Sequence, residues 1–294
     1  MTSSSRPPLR IGLTQWHATD DLDGNLVKAE DAIARAAGSG AGVVLLPENG
    51  LMLSTGPRMR EAALDAGSPA IARLSAAAAR HGVVVILGGT KFRSDGRITN
   101  RALVFDASGD LRGHYDKIHL FDARVGGQSF EASRVEEPGG DPVIIDIDGW
   151  KLGLTICYDV RFPELYRALA LRGADVMLIP AAFTRTTGRA HWETLLCARA
   201  IENGCYVVAS ATVTPPGVEG DAFETHGHAL VVDPWGAVVE DLNEQDDSIV
   251  TVTLEVEKVE KARSALPVLE QGRPDAYSRE VRIVALTKGD RHGE

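Results

Sequence analysis

A cysteine, Cys157, stands where the apolar run LGLTI (152–156) gives way to a stretch opened by Pro163, in LGLTICYDVRFPELY. The carboxyl end of a buried strand is where α/β folds open their ligand crevice. A strand, tight turn and helix in succession can push a side chain out of the sheet and leave backbone N–H groups free beside it, as an oxyanion hole requires. Nearby positive charge or a helix amino end would lower the thiol pKa and raise its thiolate fraction. The common alternative is a buried structural cysteine, and that reading suits Cys197, inside an Ala-rich helix, and Cys205, opening a β-branched strand. Cys157 differs because Asp159, Arg161 and Glu164 crowd the turn after it.

A nucleophile needs a base. None of the eight histidines stands in a local signature of a Cys-His pair, and such partners are distant in sequence. His226 and His228 would face the same way on a strand, without a third ligand at metal spacing. Glu48, in VVLLPENG, ends a wholly apolar strand, where desolvation raises a carboxyl pKa toward the range useful for proton transfer. An ordinary acidic turn residue fits that position equally well. Lys117, in HYDKIHLFD, repeats the strand-end placement; a lone lysine is ordinarily a solvated surface charge and gains interest only in company.

These residues must be positioned by the elements around them. Short β-branched runs alternate with Ala-rich runs of helical period, which favours layered α/β packing. Strands are expected at 10–16, 42–47, 83–89 and 100–117, the last a hairpin turning at ASGD, and at 142–156, a hairpin turning at Asp148-Gly149. ADVMLIP, CYVVASA, 226–241 and 248–255 follow as strands, and helices are expected at 24–37, 69–80, 163–172, 189–203 and 256–264. Hairpins mixed with helical crossovers give mixed sheets, one face under helices and the other against a second sheet, a four-layer α-β-β-α sandwich, which composition alone does not distinguish from a simpler three-layer fold. The chain of 294 residues reads as a disordered tail over 1–8 and a single domain over 9–285.

A formal charge of −10 without a long basic run argues against nucleic acid and for a small-molecule partner. Three cysteines without paired spacing fit a reducing cytoplasm. The start MTSSSRPPLR lacks a secretory h-region and no window is long and apolar enough to span a membrane, so a protein free of membranes is expected.

Taken together, LLPENG, YDKIHLFD and LTICYDVRFPELYRALALRGADVMLIPAAFT resemble the three signature regions of the nitrilase, or carbon-nitrogen hydrolase, superfamily, over about residues 9 to 255. TGRAHWETLLCARAIENGCYVVAS and GHALVVDPWG are similar to its Nit branch, which includes omega-amidases and the amidase acting on deaminated glutathione. The resemblance implies Cys157 as nucleophile, Glu48 as general base and Lys117 as the ammonium that stabilises the tetrahedral intermediate. It implies a second glutamate between the lysine and cysteine motifs, matched by Glu131 ahead of Glu136 and Glu137. It also implies the α-β-β-α sandwich, a homodimer paired through helical faces, and chemistry that needs no metal or organic cofactor. The backbone N–H of Tyr158 would share the oxyanion with Lys117.

ATVTPPGVEGDAFETHGHAL and PVLEQGRPDAYS depart from the branch near the expected pocket rim, the second by lacking paired arginines before its tyrosine. Arg161, Phe183, Thr184 and Arg185 are the candidates for holding substrate, with Arg189 a further arginine. An arginine fork would suit the distal carboxylate of an omega-amide, and surface ion pairing is the competing use. The expected activity is an amidase releasing ammonia from the side-chain amide of a small carboxylic acid. N-carbamoyl or nitrile hydrolysis by the same four residues is the enzymatic rival, acyl transfer to an amine a third, and a protein-binding scaffold the non-catalytic one.

Overall fold

A computed structural model describes residues 6–285. In chain order it runs β1 (Leu9–Trp16), α1 (Leu22–Gly38), β2 (Val43–Leu45), α2 (Gly56–Glu61), α3 (Pro69–His81), β3 (Val84–Ser94), β4 (Arg97–Phe105), β5 (Leu111–Asp116), and a small hairpin, β6 (Asp122–Val125) and β7 (Gln128–Glu131). Then come β8 (Val143–Ile147), β9 (Trp150–Leu154), α4 (Pro163–Leu171), β10 (Val176–Leu178), α5 (Arg185–Asn203), β11 (Tyr206–Ala209), β12 (Ala211–Thr212), β13 (Leu230–Val232), β14 (Val238–Asp241), β15 (Ser248–Leu254), α6 (Val256–Ala265) and α7 (Pro274–Tyr277).

Two sheets carry the site. The first has seven strands in the order β12-β1-β2-β3-β4-β5, with β15 antiparallel on β1; the second has six, ordered β14-β13-β11-β10-β9-β8. Both mix parallel and antiparallel pairs, as hairpins combined with crossovers demand. Helix α1 starts on Asp21, whose side chain accepts from Gly24 N, and buries Leu26, Ala29, Ile33 and Ala36 at helical spacing. With α3 it covers one face of the first sheet, meeting Val44, Val85, Leu87, Leu103 and Phe105. The opposite face presents Ile11, Leu13, Val43, Leu45, Ile86, Ala102 and Val104 to Leu152, Leu154, Val176 and Leu178 of the second sheet. Leu165, Leu169, Leu196 and Ala200 of α4 and α5 close the outer side. Each fully buried Leu or Ile contributes about 2 kcal/mol, so the apolar alternation itself selects the α-β-β-α order.

The expected tail differs in part. Residues 1–5 lie outside the described residues, but Arg6 donates to Gly149 O (2.6 Å) and Asp175 Oδ2 (2.5 Å), and Pro7 O accepts from Trp150 Nε1. Arg6–Pro8 are therefore pinned along the second sheet. No described helix is long and apolar enough to cross a membrane.

Candidate active site

Glu48 follows β2, Lys117 follows β5 and Cys157 follows β9, so three strand ends from two sheets converge on one cleft of about 300 Å³. Lys117 Nζ donates to Glu48 Oε1 at 2.7 Å, Asn100 Nδ2 donates to the same oxygen at 2.9 Å, and Ala182 N donates to Oε2 at 2.8 Å. Cys157 lines the same cleft, close enough to Glu48 for each group to shift the ionisation of the other. All are buried: Glu48 is 2 % exposed, Lys117 3 % and Cys157 8 %. At the cleft base the carboxylate is thus tied to the ammonium, with the thiol in the same cleft.

The local backbone explains the thiol's placement. Cys157 adopts φ +46°, a left-handed conformation that costs a residue with a Cβ about 1–2 kcal/mol. Cys157 N bonds Pro180 O, while Ile156 N bonds the carboxylate of Asp159 at 2.9 Å, and these ties hold the bend. The N–H of Tyr158, at the start of the 3-10 turn Cys157–Arg161, has no acceptor among the described residues and is free for a ligand oxygen.

Electrostatics reverse two expectations. Burial pushes the Glu48 carboxyl up, but the Lys117 and Lys91 ammonium groups outweigh it, and the net shift is below the ordinary carboxylate range. Burial, reinforced by Glu48, pushes the Cys157 thiol well above its ordinary value despite Lys117. For Lys117, burial favours the neutral amine, and the carboxylates of Glu48 and Glu136 override it to hold the group charged. The resting site is a neutral thiol facing a carboxylate that is tied to an ammonium.

Glu131 and Glu136, candidates for the second carboxylate, take different places in the cleft. Glu131 lines the cleft's outer part, is exposed, and pairs with Arg134 at 2.7 Å. Glu136, the lesser alternative, is 4 % exposed, acts on Lys117, and forms an ion pair with Lys91 outside hydrogen-bond geometry. The 3-10 turn Ala132–Arg134 after β7 reverses the chain and brings Glu136 inward, leaving Glu131 on the rim. Glu137 is exposed on Arg97. Lys91 and Asn100 had not been singled out from sequence, although both line the cleft; nothing in their local sequence separates them from ordinary strand residues.

Of the substrate candidates, Arg161 lies at the cleft wall, its guanidinium 5.1 Å from the Phe183 ring centroid and 5.8 Å from that of Tyr158, with no carboxylate partner among the described residues. Phe183 and Thr184 line the cleft too. Arg185 is committed elsewhere, to Glu224 and to Thr214 O, and Arg189 points at Glu244. Phe121, Phe130, Tyr158 and Phe223 form an aromatic wall of tilted and edge-on pairs around the mouth. His226 and His228 stack at 4.4 Å beside a second depression, with His228 held by Asp241. They lie in the loop before β13, not on a strand.

The pattern of carbon-nitrogen hydrolases matches residues 10–264. The deaminated glutathione amidase of Synechocystis sp. is 37% identical over 269 residues, covering 90% of this chain and 97% of that protein. The chloroplastic omega-amidase of Arabidopsis thaliana is 37% identical over 280 residues, covering 92% and 75%. Among solved structures, the C. elegans NitFhit protein superposes with a TM-score of 0.85 at 34% identity, over 93% of this chain and 67% of that one.

Proposed function

The chain belongs to the carbon-nitrogen hydrolase family, and from that premise we propose that it is an amidase that frees ammonia from the side-chain amide of a small carboxylic acid through a Cys157 thioester. The carrying observation is that one buried cleft holds the Glu48 carboxylate, tied to the Lys117 ammonium at 2.7 Å, together with the Cys157 thiol. Two relatives named as amidases, one an omega-amidase, support the substrate class.

Glu48 takes the thiol proton as sulfur bonds to the amide carbonyl carbon. With the thiol raised and the carboxyl lowered, that transfer is uphill alone and proceeds as the S–C bond forms. The carbonyl oxygen becomes an oxyanion held by the Lys117 ammonium and the Tyr158 N–H. Glu48 then protonates the departing nitrogen, the C–N bond breaks, and ammonia leaves a thioester. Water loses a proton to Glu48 and attacks the thioester; the acid departs and the thiol is restored. Glu136 flanks Lys117 and keeps it charged, which suits it to stabilise an anion and unsuits it as a base. Arg161, free of a carboxylate, binds the distal carboxylate of the substrate.

Ammonia release from a panel of omega-amides, N-carbamoyl acids and nitriles tests the class. Omega-amides are expected to be best, Cys157→Ala to abolish release with folding retained, and Glu48→Gln to trap an acyl adduct on Cys157 visible by mass spectrometry. Arg161→Met should raise KM about tenfold for amides bearing a distal carboxylate, the loss of a charge-assisted pair. Turnover in Cys157→Ala would remove the covalent route, and preference for nitriles or carbamoyl acids would redirect the class. The three free cysteines support a cytoplasmic setting, and exposed apolar residues on the outer helical layer support a homodimer.

A further inference from the structure

Strand β3 carries an irregularity whose consequence is chemical. Val85 and Leu87 pack toward α1 and α3, and Ile86 toward the second sheet. Strict alternation would send Lys91 toward the helices with Val85 and Leu87. The pairing of β3 with β4 shifts between Leu87 and Thr90, across Gly88-Gly89, and Phe92 now packs on the helix side. Lys91 therefore lies opposite Asn100, on the face that Asn100 shares with Ala102 and Val104, inside the catalytic cleft. Its side chain is 9% exposed, and its partner Glu136 has a side chain 1% exposed.

A buried lysine is costly unless its charge is matched. The titratable and charged groups facing this pair are Glu48 after β2, Lys117 after β5 and the Cys157 thiol after β9, with Glu131, Arg134 and Arg161 farther out on the rim. Counting the buried groups, two carboxylates oppose two ammoniums, and the thiol is neutral. When the thiol proton passes to Glu48 and an oxyanion forms, one negative charge disappears and another appears, so the balance is unchanged. Without Lys91 the cleft would carry a net negative charge throughout, opposing both thiol ionisation and the oxyanion.

We propose that Lys91 is a positioning residue of this active site, pairing with Glu136 and fixing it so that the dry cleft stays electrically balanced as the proton moves from Cys157 to Glu48. This rests on the amidase reading for its catalytic consequence, while its electrostatic content can be read on the thiol alone. The experiment measures alkylation of Cys157 by iodoacetamide, followed by intact-protein mass spectrometry from pH 6 to 9, in wild type, Lys91→Met, Lys91→Arg, Glu136→Gln and Lys91→Met/Glu136→Gln. Calorimetric melting serves as the fold control.

Lys91→Met should slow alkylation about tenfold at pH 8, the effect of about one pKa unit on the thiol, and Lys91→Arg should stay near wild type. The double variant, which removes one charge of each sign, should recover most of the rate. In turnover, Lys91→Met should lower kcat, with KM within about threefold, since the substrate's own contacts are retained. Equal alkylation rates in wild type and Lys91→Met, or a double variant slower than either single one, would overturn the assignment. Wild type that releases no ammonia from any amide would remove the amidase reading, and the alkylation series would still decide Lys91.

Discussion

Asp159, two residues past the nucleophile, has no exposed surface and accepts four hydrogen bonds. Tyr115 OH donates at 2.8 Å, His119 N at 3.1 Å and Ile156 N at 2.9 Å, and His119 Nδ1 lies 2.8 Å away. Two of these donors flank Lys117 in sequence and one precedes Cys157, so a single carboxylate sets the distance between ammonium and thiol. Asparagine would turn an amide donor toward existing donors. Asp159→Asn should therefore cost about 3 kcal/mol by urea unfolding, as for a broken buried charged network, and lower kcat at least as much as it lowers stability. Unchanged kcat in a destabilised variant would show that Asp159 serves the core alone. The residue types of the site were legible in part: Cys157 and Glu48 each end an apolar run, whereas Lys117 follows the polar second strand of a hairpin. Their net pKa shifts were not, because burial and a paired ammonium act in opposite directions on Glu48, and the closeness of Lys117 and Lys91 is a three-dimensional fact.

At the scale of elements, the approach of β3 to the Glu48 loop depends on a missing side chain. A Cβ built on Gly88 would stand 2.5 Å from Leu46 O and from Pro47 C, backbone atoms that cannot rotate aside. Asn49, held in the left-handed region at φ +52°, donates to Gly89 O at 2.6 Å, so the loop and the strand irregularity are one unit. Gly88→Ala should cost about 3 kcal/mol, at the upper end for overpacking, and reduce kcat by displacing Glu48. Gly140→Ala, where a Cβ meets nothing within 4 Å, is the control and should change neither melting temperature nor turnover. Normal kcat in Gly88→Ala would separate the strand irregularity from the base. Regular strands and helices were read from their periods to within a few residues, as at α1 and β1. The β3 irregularity and the hairpin β6–β7 were missed because neither shows a long apolar period, and this is why Lys91 went unnoticed and the different burial of Glu131 and Glu136 could not be read.

For the whole molecule, hairpins mixed with crossovers pointed to four layers and the family resemblance implied the same, whereas composition alone left a three-layer fold open; in the structure each sheet has one face for helices and one for the other sheet. What covers the outer helices is a separate matter. Ile201 on α5 is 51% exposed and Trp235, in the turn before β14, 61%; a Cβ on neighbouring Gly236 would lie 2.5 Å from Ile201, so the two form one patch, with Leu171 at the end of α4 in the same helical layer. A second copy of the chain is the proposed cover. The same helix reaches the site: Arg199, 5 % exposed, donates through Nε to Val160 O at 2.8 Å, inside the nucleophile's turn, and α5 begins just after Phe183 and Thr184. Pairing across α5 would thus brace the Cys157 bend from behind. Sedimentation velocity should give twice the chain's 31.4 kDa for wild type, whereas Ile201→Glu, which buries an unmatched charge on each side of a two-fold interface, should sediment as a monomer. That monomer should melt cooperatively yet turn over substrate at least several-fold more slowly, because the strained Cys157 backbone loses its outer support. A wild-type monomer would dismiss the pairing, and a fully active Ile201→Glu monomer would show that the bend is held from within each chain.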